Sequence, residues 1–188
     1  EMCIRDRHKL AFASPKIQLA AADIEDSIFA KQTAGTSDRN PVFVTSLPRA
    51  GTTVLLTALA SLPGMASQTY RDMPFAMAPL FWSKISGSFQ KGSELRERAH
   101  GDGIKVGYDS PEAFEEIIWR AFWPKKFTDD RIDLWRGGDS LNEAVVFFRK
   151  HFRKVSALRR GGSARYVSKN NANICLLYTS PSPRDGDE

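Results

Sequence analysis

The pattern of apolar positions changes from strand-like to helical near residue 50. A β-branched, apolar run over residues 42–47 stops at Pro48 and Gly51. Apolar residues then return at helical spacing, at Val54, Leu55, Leu59 and Leu62. This order of signals predicts a strand, a tight turn and a helix from about Gly51 to Leu62, which Pro63 and Gly64 end.

Two segments on either side of this motif have the apolar spacing of helices. Residues 15–28 begin with Pro15 after a capping Ser14, which is a helix-start signal. Their apolar face, which we expect to pack against the domain, contains Ile17, Ala21, Ile24 and Ile28. Residues 75–89 are apolar and aromatic and predict a second helix with one buried face.

Two more helices are predicted in the second half of the chain. Ser110 before Pro111 is typical of a helix start, with the acidic residues Glu112, Glu115 and Glu116 near the positive end of the helix. Residues 141–155 predict an amphipathic helix. We expect its basic face to be solvated, and that face contains Arg149, Lys150, Arg153 and Lys154.

The turn at residue 50 has the geometry of an anion site. Backbone N–H groups around Ala50 to Thr53 have no partner one turn earlier in the following helix. The positive end of the helix dipole adds to them, so a phosphate group is the expected occupant.

The best-known phosphate loop is that of the nucleotide triphosphatases, Gly-x-x-x-x-Gly-Lys-Ser/Thr. This sequence departs from that pattern twice, because Ser46 occupies the first glycine position and Thr52 replaces the lysine. The departures weaken an ATPase interpretation. A P-loop kinase of small molecules, or a nucleotide-binding domain without activity, stays open as an alternative.

The two ends of the chain differ in origin from the rest. A DNA sequence that encodes residues 1–7 also encodes residues 175–180 on its opposite strand, so both ends resemble a translated sequencing adapter. Residues 181–185 resemble its continuation. We therefore expect residues 1–7 and 175–188 to be non-native and residues 8–174 to be a partial domain.

Composition limits the chemistry that the native part can perform. Both cysteines, Cys3 and Cys175, fall in the adapter-like ends, so no disulfide, thiol nucleophile or metal site is expected in residues 8–174. The ends hold three basic and five acidic residues, and their removal raises the net charge from +5 to +7. A basic surplus favours a polyanionic partner such as a nucleotide. No nucleic-acid-binding motif is present, so we expect no nucleic-acid partner.

The segment Pro48-Arg49-Ala50-Gly51-Thr52-Thr53 resembles the phosphosulfate-binding loop of sulfotransferases. The resemblance implies an α/β fold, a P-loop three-layer sandwich with a parallel central sheet, and a reaction that uses 3′-phosphoadenosine-5′-phosphosulfate (PAPS). It also implies that Arg49 contacts the oxygen between phosphate and sulfate. Residues 50–53 would then bind the 5′ end of the nucleotide.

A second segment, Lys169-Asn170-Asn171, follows a short β-like run over residues 164–168. It resembles the Lys-Asn segment of bacterial and Golgi-type sulfotransferases, which implies that Lys169 contacts the sulfuryl group. In that family the 3′-phosphate ligands come after this segment, so we expect the domain to be truncated at its C-terminal side and the truncated chain to be inactive. The same comparison implies that the phosphate loop faces Lys169.

Two residues are candidates for the base that takes the acceptor's proton. Asp72 lies where tyrosylprotein and heparan-type sulfotransferases have a catalytic carboxylate, although those relatives have Glu. A helix cap or an ion pair with Arg71 is the structural alternative for Asp72. His100 is the second candidate, because imidazole titrates near neutral pH, and a loop hydrogen bond is its structural alternative.

The sequence thus predicts a sulfotransferase that transfers the sulfuryl group of PAPS to a hydroxyl or amine, with no metal. The acceptor is expected to be a small molecule, a carbohydrate or a peptide, and the variable segment 73–162 is expected to bind it. Localisation is not predicted; a bacterial enzyme of this kind would be cytoplasmic.

Overall fold

The computed structural model describes residues 15–47, 50–87, 96–97, 105–112, 114–128, 131–135 and 142–174. Pro48, Arg49 and His100 fall outside these ranges, as do both adapter-like ends. The structure therefore describes most of the predicted strand-turn-helix motif and the whole Lys169 segment.

A small parallel sheet forms the centre of the described chain. Its strands are β1 (Val42–Val44), β2 (Met65–Ala66) and β5 (Arg165–Lys169), in the order β1-β5-β2. Both neighbours run parallel to β5, with Val44 opposite Lys169 and Ala66 opposite Tyr166. A separate antiparallel pair consists of β3 (Arg96–Glu97) and β4 (Lys105–Val106). The parallel sheet and the helices between its strands confirm the predicted α/β class.

Six α-helices are present in the described residues. They are α1 (Pro15–Ile28), α2 (Ala30–Thr33), α3 (Thr52–Ser61), α4 (Pro79–Ser86), α5 (Glu115–Phe122) and α6 (Asn142–Arg160). Single turns of 3₁₀ helix occur at Tyr70–Asp72 and Pro124–Lys126. The predicted helix after the turn is confirmed within one residue at each end.

Alternation along β5 divides its side chains between two helical partners. Tyr166 and Ser168 project to one face, where Tyr166 stacks on Phe152 of α6 with ring centroids 4.4 Å apart. Val167 and Lys169 project to the other face, and Lys169 contacts Thr53 of α3. The strand therefore joins the start of α3 to the packed core.

The main core lies between α6, α5 and the sheet. It contains Phe147, Phe148, Phe152 and Val155 from α6, with Ile117 and Ile118 from α5. Aromatic rings continue from Phe148 to Trp119 at 4.7 Å, and onward to Trp123 and Trp135. Burial of these rings is the main stabilising contribution in this part of the fold.

The predicted packing face of α1 is wrong. Ile17, Ile24 and Ile28 are more than half exposed, whereas Gln18 and Glu25 are buried. The polar side chains are inside because distant backbone groups satisfy them: Gln18 donates to the carbonyl oxygen of Pro74, and Glu25 accepts from the N–H of Phe81 at 2.6 Å. Because of these hydrogen bonds to another segment, the buried face of α1 is not the face that its hydropathy predicts.

Two further details of the predicted helices are also corrected. The helix predicted from Ser110 begins at Glu115, and Ser110 instead accepts a hydrogen bond from the N–H of Gly107. On α6, Phe148 and Phe152 are buried as expected. Lys154 is not solvated, because only 3% of its side chain is exposed and it lies 2.5 Å from Asp26 and 3.3 Å from Glu25.

Candidate functional site

The turn before α3 has the backbone conformation that its glycine permits. Gly51 caps the helix with φ of 76°, in the left-handed region that other residues rarely adopt. The first hydrogen bond within the helix runs from the N–H of Leu55 to the carbonyl oxygen of Gly51. The N–H groups of the residues before Leu55 therefore point toward the N-terminal end of the helix. Thr52 is buried at the base of the turn.

Lys169 lies beside this helix start. Its Nζ donates to Oγ1 of Thr53 at 3.2 Å, across a sequence separation of 116 residues. The contact forms because β1 and β5 are adjacent and parallel, so the turn after β1 and the last residue of β5 meet at the same edge of the sheet. The predicted proximity of residues 50–53 and Lys169 is therefore present.

Buried amide groups surround the end of β5. Nδ2 of Asn170, Oδ1 of Asn171 and Oδ1 of Asn173 are buried and have no hydrogen-bond partner among the described residues. Buried polar atoms in native proteins almost always have a partner from the protein, from water or from a ligand. These three atoms belong to residues that follow Lys169 in sequence, and water or another group can complete their hydrogen bonds.

Asp72 lies in a buried position where both of its carboxylate oxygens have partners. It is 2% exposed, and its two carboxylate oxygens accept hydrogen bonds from the N–H of Thr69 at 2.9 Å and from Nη2 of Arg159 at 2.5 Å. Burial raises the pKa of Asp72, and Arg159 partly offsets that effect. These contacts match the structural alternative, a helix cap with an ion pair, except that Arg71 pairs with Asp109 and Arg159 is the partner.

The other predicted site residues lie outside the described part of the chain. These are Arg49, in the loop, and His100, the second candidate base. The structure brings together Ala50, Gly51, Thr52, Thr53 and Lys169 at one edge of the sheet. Within that set, Lys169 is the cation and α3 supplies the positive end of a helix dipole.

Sequence reasoning missed Glu115 as a residue of this region. It lies at the start of α5 and is 0% exposed, and it accepts hydrogen bonds from Oγ of Ser168 and from Nδ2 of Asn173. Burial raises the pKa of Glu115. The sequence signal was an acidic residue two positions before the apolar run Ile117-Ile118-Trp119, but the same pattern is typical of ordinary helix starts.

No His, Cys, Asp and Glu side chains in the described ranges form a group of three or more that could hold a metal ion. In the same ranges, none of the helices combines the length and apolar character needed to cross a lipid bilayer. Comparison with protein-family models, with curated proteins and with solved structures gave no match.

Proposed function

We propose that this chain contains the donor site of a sulfotransferase, which transfers the sulfuryl group of PAPS to a hydroxyl or amine. The observation that carries the proposal is the 3.2 Å contact between Lys169 and Thr53. In this contact the lysine of one predicted motif meets the helix start of the other, across a sequence separation of 116 positions.

The charges and polar groups of the site suit a phosphosulfate. The first turn of α3 offers N–H groups to phosphate oxygens, and Lys169 adds a full positive charge. The unpartnered Nδ2 of Asn170 can donate to a further oxygen, and the unpartnered Oδ1 of Asn171 can accept from water. We infer that Arg49, next in the loop, contacts the bridging oxygen between phosphate and sulfate.

The reaction needs positioned charge rather than a covalent intermediate. The acceptor oxygen or nitrogen forms a bond to sulfur, while the bond from sulfur to the bridging oxygen breaks and adenosine 3′,5′-bisphosphate (3′,5′-ADP) leaves. The acceptor's proton passes to a base. Fixed cations stabilise the charge that develops on the equatorial and leaving oxygens, as in phosphoryl transfer.

The base is one of two residues. Asp72 would have to release Arg159 before it could accept a proton, so we assign the role to His100 first and to Asp72 second. The acceptor, a small molecule, carbohydrate or peptide, is proposed to bind against residues 73–162. The finer fold proposed is the P-loop three-layer sandwich with a parallel central sheet.

Ligand-induced thermal stabilisation tests the donor site directly. We expect 3′,5′-ADP to raise the melting temperature of the chain and ATP with Mg²⁺ to leave it unchanged. Lys169→Met and Arg49→Ala should remove the response to 3′,5′-ADP, whereas Lys16→Met, which removes an exposed lysine on α1, should keep it. Transfer of radioactive sulfate from PAPS to a panel of phenols, amino sugars and tyrosine peptides, measured here and below in the complete enzyme, then identifies the acceptor class.

The alternatives give different results in the same experiment. Stabilisation by ATP with Mg²⁺ alone would indicate the small-molecule kinase. No response to either nucleotide, in a sample whose unfolding is cooperative, would contradict both enzymes and favour an interaction domain. Arg49→Ala with transfer close to the unmodified chain would contradict the role of Arg49, for which a loss of about 2–4 kcal/mol in transition-state stabilisation is expected.

A further inference from the structure

Glu115 bonds to one residue before Lys169 in sequence and to another residue after it. Ser168, directly before Lys169, donates its hydroxyl to Oε1 of Glu115. Asn173, four residues after Lys169, donates Nδ2 to Oε2 of the same carboxyl group at 3.1 Å. One buried side chain of α5 therefore holds two points of the chain between which the lysine lies.

The remaining contacts of this segment are made with β1 and its following residue, and within the turn itself. The N–H of Asn170 bonds to the carbonyl oxygen of Val44 at 3.0 Å, which continues the pairing of β5 with β1. Oδ1 of Asn170 accepts from the N–H of Ala172 at 3.0 Å, and this bond closes the turn. The Glu115 carboxyl joins the two ends of the turn to α5, on the face of β5 opposite Lys169.

Burial of the Glu115 carboxyl group costs free energy, and no counter-ion among the described residues offsets that cost. Glu115 is 0% exposed, and no Lys, Arg or His of the described chain pairs with it. An apolar residue of similar volume would avoid the desolvation penalty. The hydrogen bonds to Ser168 and Asn173 are therefore what this side chain contributes, and their effect is to fix the backbone that carries Lys169.

We propose that Glu115 is a positioning residue for Lys169: it holds the end of β5 so that the lysine amine lies at the first turn of α3. This inference depends on the proposed function only for its effect on sulfuryl transfer. The position of the amine relative to Thr53 is a property of the nucleotide-free protein and can be measured separately.

A matched pair of serine variants tests the proposal. Ser168→Ala removes the bond to Glu115 at the end of β5, and Ser156→Ala removes the buried bond to the carbonyl oxygen of Ala164 just before β5 begins. Both hydroxyls are buried, so a similar loss of stability is expected from each. Only Ser168→Ala should alter the site.

The first measurement is the ¹³C methyl resonance of Thr53 in threonine-labelled, nucleotide-free protein. Lys169→Met provides the reference shift for a lost lysine contact. We expect Ser168→Ala and Glu115→Leu to move the resonance toward that reference, Glu115→Gln to restore it, and Ser156→Ala to leave it in place. Glutamine can restore the contacts because its amide offers one acceptor to Asn173 and one donor to Ser168.

The second measurement is the rate of sulfuryl transfer at saturating PAPS. A displacement of the amine by about 1 Å should lower kcat by about 100-fold in Glu115→Leu, with a smaller change in KM for PAPS and recovery in Glu115→Gln. If Glu115→Leu does not fold, Ser168→Ala against Ser156→Ala decides the question.

The outcomes separate this inference from the proposed function. A Thr53 resonance that ignores Ser168→Ala, or that moves equally in Ser156→Ala, overturns the positioning role. A selective shift supports it even where no transfer and no binding of 3′,5′-ADP is found, a result that contradicts the sulfotransferase alone. Where transfer is present, equal kcat losses in the two serine variants also overturn the inference.

Discussion

Lys154 and Lys169 are two lysines on adjoining elements with opposite environments. Lys154 is 3% exposed and contacts Glu25, Asp26 and the carbonyl oxygen of Ala22, with its amine over the ring of Phe147. Lys169 is partly buried, and the described residues offer its amine one hydrogen-bond partner, the hydroxyl of Thr53. An ammonium group has three N–H donors, so Lys169 keeps capacity for a ligand that Lys154 has used.

The difference separates a charge that holds two helices together from one that is available to a ligand. The buried group joins α1 to α6, and its removal leaves carboxylates without a counter-ion. The partly buried group lies at a helix start and makes no ion pair with the described residues. Four substitutions, from the largest expected effect to the smallest, test whether this division is correct.

Lys154→Met should destabilise the fold by about 3–5 kcal/mol at pH 8, because it leaves Glu25 buried and unpaired. Denaturant unfolding measures the change. Lys150→Met is the matched control, since Lys150 lies 3.0 Å from the same Asp26 but is 52% exposed, and less than about 1 kcal/mol is expected. Equal effects of the two substitutions would show that burial does not distinguish these lysines.

Lys169→Met should leave the unfolding free energy within about 1 kcal/mol of the unmodified chain. Under the proposed function it should also lower kcat by about 100-fold to 1,000-fold, the effect of one lost oxyanion donor. Parallel unfolding and transfer assays measure both. A large loss of stability with transfer intact would place Lys169 in the same structural class as Lys154.

Glu25→Gln sharpens the comparison through pH. Burial raises the pKa of Glu25 from 4.5 to about 7, and Lys154 partly offsets that effect. Because the folded state binds this proton more tightly than the unfolded state does, the proton contributes its full stabilisation below pH 4.5. This contribution is lost as pH rises through 7. The variant should therefore gain stability relative to the unmodified chain across this window, by at most about 3 kcal/mol.

His151 makes stability depend on pH over the same range, but with the opposite sign. The unfolding free energy of Glu25→Gln is therefore compared with that of the unmodified chain at each pH. Burial lowers its pKa from 6.5 to about 3, and the stability that its neutral form contributes is lost as pH falls from 6.5 toward 3. Subtracting one unfolding free energy from the other at each pH cancels the contribution of His151. A constant difference from pH 4 to 8 would contradict the raised pKa of Glu25.

Asp72→Asn should cost about 1–3 kcal/mol of stability, because Arg159 loses its charged partner while the amide still fills the space. Sulfuryl transfer should fall only in proportion to the folded fraction. The control is Asp109→Asn, which removes the exposed pair with Arg71 and should change stability less. Unchanged stability with abolished transfer would instead make Asp72 the base.

The parts of the fold that sequence predicted are those fixed by local signals. Apolar spacing and one glycine predict the strand and helix around Gly51. A short motif predicts that Lys169 lies near the start of that helix. The buried face of α1 could not be predicted, because Gln18 and Glu25 depend on partners about 56 residues away in sequence. Glu115 was hidden for the same reason, since Ser168 supplies its bond from the far end of the chain.

The pairing of β1 with β5 also determines when the site can form during synthesis. The two strands meet only after the chain from Thr53 to Lys169, a separation of 116 positions, has left the ribosome, and closing so long a loop is slow. Until then the turn at Gly51 lies on a strand without its neighbour, exposed to other chains. The proposed donor site cannot form before β5 is made, so folding yield in the cell should depend on the time that β1 spends unpaired.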